Sequence, residues 1–213
     1  MSDRIEPKQQ RSRETLTRLL KATVAVLEAQ GLEGATIPRI AHEAGVAPAS
    51  VYRRFTDKDA LIRAALLDEL ERSNVANAAA VAKQFEGRSL EWVAHALARS
   101  LIAQYRARPG LIRALVRFGE SDGDAAFVER ALALMGVNVR VIAEAIASRF
   151  AAEIADPQPL RAVTFATLAI ANIAESVALD QISLWRSAMP LDDDAMQKEL
   201  ARLFLGYLRV EPL

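Results

Sequence analysis

A glycine between two short helical patterns constrains the fold of this chain more than any other sequence feature. Gly45 follows a segment for which Thr36 is a good N-cap, and it precedes a segment whose first turn suits Pro48. Glycine readily adopts the left-handed backbone conformation that a sharp turn requires. The apolar residues that share an inward face are Ile37, Ile40 and Ala41 before the glycine, and Val51 and Phe55 after it. Residues 36–55 therefore predict two short helices joined by a tight turn.

Apolar residues keep helical spacing through the rest of the 213 residues, which predicts an all-α fold. Gly31 is expected to end the first helix, and Asp57 and Ser89 are expected to cap later ones. The other predicted helices cover residues 14–30, 57–80, 90–108, 111–118, 125–149, 160–180 and 193–207. The segment 160–180 is apolar on nearly every side, so we expect it to be buried on more than one face.

The composition is typical of a soluble, cytoplasmic protein. Cysteine is absent, which excludes disulfides, thiolate metal sites and cysteine nucleophiles. The polar N-terminus lacks the apolar core of a signal peptide, and no run of about 18 apolar residues occurs, so no membrane partner is expected. Two isolated histidines, His42 and His95, make a metal site implausible. The usual enzyme motifs are missing, so we expect neither a catalytic residue nor a cofactor.

Charge is informative only in its distribution. The chain has 27 basic residues (lysine and arginine) and 27 acidic ones (aspartate and glutamate). Between Met1 and Lys21, however, six residues are basic and three are acidic. Such an excess suits contact with phosphates and is also typical of an ordinary solvated face. Arg11 and Arg13, ahead of the predicted first helix, form either a flexible arm that reaches DNA or a disordered solvated tail.

The string TIPRIAHEAGVAPASVYRRFTDKDAL, with the amphipathic helix before it, closely resembles the TetR family of bacterial regulators. The resemblance is specific over residues 12–70. Positions that fit the family signature are Thr36, Ile40, Ala41, Gly45, Val46, Tyr52, Phe55, Lys58 and Leu61. It implies an N-terminal three-helix DNA-binding head, residues 1–58, and a helical ligand-sensing and dimerisation domain, residues 59–213.

The resemblance also implies roles for individual side chains. Thr36, Tyr52 and Lys58 are expected to contact phosphates, which fixes position without reading sequence. The positions that face the major groove are Ala47, Pro48, Ala49, Ser50 and Arg53. Arg53 is the candidate for bidentate recognition of guanine, and Arg54 is either a DNA contact or a solvated arginine. This chain has Ala49 where Lys or Gly is common, and Arg53-Arg54 where an aromatic-His pair is common, which affects the operator sequence.

Polar residues on apolar helical stripes mark a candidate effector site in the second domain. Asn138, Asn172 and Glu175 need polar partners if buried, either a ligand or a neighbouring helix. The apolar residues of the candidate pocket are Phe118, Met135 and Phe165, for which ordinary core packing is the alternative. The apolar lining suggests a small hydrophobic effector.

The sequence therefore predicts a ligand-responsive repressor that binds a palindromic DNA operator as a homodimer. The last two long helices, with the apolar runs 160–177 and 196–207, are the predicted dimer interface. Activation instead of repression is an alternative within this class. The rival from another class is an all-α small-molecule-binding protein or enzyme without operator binding.

Overall fold

The computed structural model describes residues 7–121, 124–179 and 184–210, and this part of the chain is helical without a strand, which confirms the all-α prediction. The helices are α1 (Pro7–Gly34), α2 (Ile37–Glu43), α3 (Pro48–Tyr52), α4 (Lys58–Gln84), α5 (Leu90–Ala107), α6 (Pro109–Ser121), α7 (Ala125–Phe150), α8 (Pro159–Leu179), α9 (Leu184–Ala188) and α10 (Asp193–Arg209). A single 3-10 turn, Ala151–Glu153, follows α7. The short α9 was not predicted from the sequence.

Asp57 and Ser89 cap helices as predicted, whereas the predicted cap Thr36 stands at the N-cap position of α2 but makes no side-chain capping bond. The backbone N–H of Ala60 donates to Asp57 Oδ1 at 2.7 Å, and that of Trp92 donates to Ser89 Oγ at 3.2 Å. At the start of α10, the backbone N–H of Ala195 donates to Asp192 Oδ1 at 2.8 Å. Each bond satisfies a donor that the first helical turn leaves without a partner in the helix.

The first helix differs from its prediction at both ends. Gly31 has φ +66°, so the regular helix breaks there as expected, but a further turn continues to Gly34. At the other end α1 begins at Pro7 and not near residue 14. Arg11 and Arg13 therefore lie on a helix, and the prediction of a flexible or disordered arm at these two residues was wrong.

The chain divides into two compact units. The first contains residues 1–72 and 110–131, and the second contains residues 73–109 and 132–213. Both α4 and α7 contribute to both units. This division differs from the predicted boundary after residue 58, because Leu61, Ile62 and Leu66 of α4 and Phe118 of α6 are buried in the first core.

In the core of the second unit α5, α8 and α10 pack together, and buried residues of α4 and α7 complete it. Residues of α8 that are buried in it include Ala162, Val163, Ala166, Ile170, Ala174 and Val177. On α5, Arg106 donates from Nη1 to the carbonyl of Ala178 at 2.9 Å, and its Nη2 lies 2.8 Å from Asp193 Oδ1. This arginine therefore links the C-terminal turn of α8 to the first turn of α10.

The expectation that α8 is buried on more than one face does not hold within the single chain. Leu160, Phe165 and Leu168 are 44%, 57% and 44% exposed. By length and composition alone, α8 and the stretch Ala125–Glu153 are apolar enough to cross a membrane. The packing of α8 against α5 and α10 is the arrangement of a core helix in a folded bundle.

Candidate nucleic-acid interface

The turn between α2 and α3 is fixed by backbone hydrogen bonds. Gly45, with φ +65°, donates from its N–H to the carbonyl of His42 at 3.0 Å, and Val46 donates to the carbonyl of Ala41 at 2.9 Å. Ile40 and Val51 are completely buried in the core of the first unit. These contacts confirm the predicted helix-turn-helix and hold α3 with one face inward.

The opposite face of α3 is open to solvent. Ala47, Pro48 and Ala49 are exposed, whereas Ser50 is half-buried. Arg53, at the C-cap of α3, is exposed and donates from Nη2 to Ser50 Oγ at 2.9 Å. The structure thus brings the five predicted groove-facing residues together on one short helix and its flanks.

The three residues predicted to contact phosphates lie just before α2, at the end of α3 and at the start of α4. Tyr52, at the end of α3, is 62% exposed. Thr36 is exposed at the N-cap position of α2, and its hydroxyl makes no capping bond there. Lys58 is the half-buried first residue of α4. A hydroxyl at Thr36, a phenol at Tyr52 and an ammonium at Lys58 are all donors suited to phosphate oxygens.

Asp57 places a carboxylate beside Lys58. The backbone N–H of Ala60 and the hydroxyl of Thr56 hold the pKa of Asp57 below its ordinary value of 3.8. This carboxylate is therefore ionised near neutral pH and is committed to the first turn of α4.

Arg54 has a different environment from Arg53. Its Nη2 donates to the carbonyl of Ser12 at 3.3 Å and to Ser12 Oγ at 3.1 Å, so it joins the end of the helix-turn-helix to α1. Sequence reasoning missed the partner Ser12, which lies 42 positions away and carries no local signal. Arg11 and Arg13 are exposed on the same segment of α1.

The six candidate effector contacts are dispersed between the two units. Phe118 is buried in the first core, where its ring packs edge-on against Phe127 with centroids 6.0 Å apart. Met135, on α7 in the second unit, is 39% exposed. Asn138 Oδ1 accepts from Asn77 Nδ2 at 3.0 Å, which realises the interhelical alternative that the sequence left open.

The three candidates on α8 have separate surroundings. Phe165 is exposed and lies beside Tyr207 of α10, with ring centroids 4.9 Å apart. Asn172 is exposed and donates to the carbonyl of Leu168 in its own helix at 2.8 Å, so the expectation that it is buried was wrong. Glu175 is half-buried near Tyr105, and burial together with this carboxylate raises the pKa of Tyr105 to about 12.

Comparison with known families identifies the helix-turn-helix. Residues 19–65 match the family model for bacterial regulatory proteins of the tetR family. Residues 19–65 therefore form a domain that is similar to that of tetR-family regulators. The match begins in α1 and ends in α4, so it includes both helices of the helix-turn-helix and the turn at Gly45.

A curated relative extends the likeness. Over 99 residues, 46% of this chain, the sequence is 34% identical to the HTH-type transcriptional repressor DrrR1 of Streptomyces coeruleorubidus. The aligned stretch covers 34% of that repressor, so the chain spans about a third of this relative's length.

Solved structures show the same fold along most of the chain. A structure from Mesorhizobium loti assigned to the TetR family has a TM-score of 0.65 and 19% identity, covering 93% of this chain and 96% of that one. The regulator FadR from Bacillus subtilis, in complex with stearoyl-CoA, has a TM-score of 0.61 and 12% identity, covering 89% and 97%. At these identities the likeness is one of fold, and it includes the helices that follow the helix-turn-helix.

Proposed function

We propose that this protein is a cytoplasmic transcriptional repressor that binds a palindromic DNA operator as a homodimer and releases it when a small hydrophobic effector binds. The observation that carries the proposal is the presentation of α3. A buried Val51 anchors one face of this helix, while Ser50 and Arg53 stand on the other. Within the TetR-family domain, this is the geometry that places a recognition helix in a major groove.

Contacts with phosphates would orient α3 in the groove. Thr36, Tyr52 and Lys58 supply three hydrogen-bond donors, and Arg11 and Arg13 add positive charge on α1. Each cation that neutralises a phosphate releases a condensed counterion, so affinity falls as salt rises. Binding should therefore combine a strong salt dependence from these residues with base readout from α3.

An exposed apolar face on α8 and α10 supports the homodimer. Leu160, Phe165 and Leu168 on α8 join Leu203 and Tyr207 on α10, all at least 39% exposed in the single chain. The rings of Phe165 and Tyr207 are in contact, and exposed apolar surface of this kind is typical of a protein interface. Two copies that pair these helices would form a four-helix interface with two-fold symmetry and would present two copies of α3 to successive half-sites.

The second unit is the proposed effector-binding domain. Its core is a bundle of apolar helices, which suits a hydrophobic ligand, and FadR of the same fold was solved with stearoyl-CoA. An effector that prefers one arrangement of these helices would weaken DNA binding by its differential affinity for the two states. Long-chain acyl-CoA is therefore the first probe, and it should lower operator affinity reciprocally.

The experiment is selection of bound duplexes from a random library at two salt concentrations, followed by affinity measurements on the enriched site. We expect an inverted repeat. The double variant Tyr52→Phe with Lys58→Ala should weaken binding to all sequences. Because the lysine no longer neutralises a phosphate, binding should release about one counterion fewer and affinity should depend less on salt. Lys83→Ala, an exposed lysine near the end of α4, is the matched control and should bind as the unaltered protein does.

Two outcomes would contradict the proposal. Failure of the folded protein to enrich any sequence would favour the rival function, a small-molecule-binding protein or enzyme without operator binding. Unchanged affinity in the double variant would show that the DNA interface is not formed by α2–α4.

The homodimer has a test of its own. Phe165→Glu should give a monomer by sedimentation, and a persistent dimer would show that the dimer interface lies elsewhere. A reporter fused to the selected site distinguishes repression from activation.

A further inference from the structure

The hydrogen bond between Ser50 and Arg53 restricts the most informative side chain on α3. Arg53 Nη2 donates to Ser50 Oγ at 2.9 Å, and both residues lie on the open side of the helix. A guanidinium carries five N–H donors in one plane, so one bond to Ser50 leaves the others available. An arginine held in this way loses less rotamer freedom when it binds a base edge.

The neighbouring groove-facing side chains are apolar. Ala47, Pro48 and Ala49 are exposed, and their side chains have no hydrogen-bond donor or acceptor. They can contact a base edge only through methyl and methylene groups, and thymine is the base with a methyl group in the major groove. Arg54 is bonded to Ser12, so the second arginine of the pair is already engaged within the protein.

We propose that Ser50 is a positioning residue that orients Arg53 toward one guanine in each half-site, and that Ala47–Ala49 select adjacent thymine methyl groups. The inference rests on the proposed operator binding and specifies its chemistry. Arg53 donates to the guanine O6 and N7 atoms, which accept, and Ser50 accepts from the guanidinium edge that faces away from the base. The half-site thus contains one base read by hydrogen bonds and its neighbours read by shape and methyl contact.

The test repeats the library selection with variants of these two residues. The unaltered protein should enrich one guanine per half-site with thymine beside it. Arg53→Ala should lose the guanine preference by roughly tenfold or more, as expected for a bidentate contact. Ser50→Ala should keep guanine as the preferred base with weaker discrimination, and Ser50→Thr, which retains the hydroxyl, should restore it. Arg99→Ala, an exposed arginine on α5, is the matched control.

Modified bases test the same atoms from the DNA side. Replacement of the guanine by 7-deazaguanine removes the N7 acceptor and should weaken the unaltered protein but not Arg53→Ala. Replacement of the adjacent thymine by uracil removes one methyl group and should weaken binding by about fourfold. The thermal unfolding midpoint of each variant should stay that of the parent, which separates lost recognition from lost folding.

The outcomes separate this inference from the function on which it rests. No enrichment by the unaltered, folded protein would overturn the proposed function together with the inference. An enriched inverted repeat whose guanine preference survives in Arg53→Ala would overturn the role of Arg53 alone. Equal discrimination by Ser50→Ala and the parent would overturn the positioning role of Ser50, and indifference to uracil would overturn the methyl contact.

Discussion

Asn77 on α4 donates from Nδ2 to Asn138 Oδ1 on α7 at 3.0 Å, and both side chains are half-buried in the second unit. One turn earlier, Asn74 Nδ2 donates to the carbonyl of Leu134 at 2.8 Å. Because the later donor on α4 bonds to the later acceptor on α7, the two helices run parallel in this unit. Two adjacent polar contacts fix the register between the helices more specifically than apolar packing alone, because each donor fits one acceptor.

A double-mutant cycle on this amide pair should reveal coupling. We expect Asn77→Ala and Asn138→Ala each to lower the free energy of unfolding by about 1–2 kcal/mol, since each leaves a half-buried partner unsatisfied. The double variant should lose about 1 kcal/mol less than the sum of the two. Urea denaturation measures this, and the cycle cancels the gain in helix propensity from alanine. Additive effects would show that the amides act independently.

Replacement of Gly110 by alanine should destabilise the first unit. A Cβ atom at Gly110 would lie 2.2 Å from the carbonyl oxygen of Leu27, a backbone atom of α1 that cannot move away alone. We expect a loss of about 1–3 kcal/mol in the free energy of unfolding, as for other overpacked sites. Gly119, also on α6, has no neighbour within 4 Å of such a Cβ and is the matched control. Gly119→Ala should stabilise by about 0.5–1 kcal/mol, so equal effects at both positions would contradict the close approach.

The cap at Asp57 predicts a specific acid dependence of stability. Because hydrogen bonds from the Ala60 N–H and the Thr56 hydroxyl lower the pKa of Asp57 in the folded state, its contribution is present above the ordinary value of 3.8 and is lost as the pH falls through the lower folded value. Asp57→Asn should be less stable than the parent at neutral pH. The difference in unfolding free energy should shrink below about pH 4. A difference that stays constant down to acid pH would contradict the assignment.

The raised pKa of Tyr105 predicts how the stability of the fold changes at high pH. Burial and the Glu175 carboxylate raise its pKa from 10.0 to about 12, so the folded state holds the phenol proton more tightly than the unfolded chain does. Its contribution is complete below pH 10 and falls as the pH rises toward 12. Tyr105→Phe should flatten this part of the stability profile. Spectrophotometric titration of tyrosinate in the parent should show one group with a pKa of about 12 that is missing from Tyr105→Phe, and its absence from the parent would refute the raised pKa.

Local chemistry predicted much of the helix-turn-helix from the sequence. The turn at Gly45, the inward Val51 and the caps at Asp57 and Ser89 depend on residues within four positions of each other, so propensity and periodicity suffice to find them. The bond from Arg53 to Ser50 has the same local character, since residues three apart are neighbours on a helix.

Long-range contacts were the part that periodicity could not supply. The hydrogen bond between Arg54 and Ser12 joins residues far apart in the chain, and only the folded unit shows it. From the sequence, residues 9–13 were interpreted as a polar tail, because the apolar stripe of α1 begins later, at Leu16. Likewise, the candidate effector residues lie on apolar helices, and no sequence signal showed that Phe118 and Phe165 belong to different units.

The discontinuous first unit limits how this protein can be recombined with its relatives. Because residues 110–131 complete the core that residues 1–72 begin, a chimaera cut once after the helix-turn-helix would leave Leu61, Ile62 and Leu66 against foreign side chains from α6. Exchange of the whole first unit requires three crossovers, one in α4, one at the start of α6 and one in α7. Transplanting only the surface of α3 leaves that core intact, so redesign of operator preference is better confined to the five positions from Ala47 to Ser50 and at Arg53.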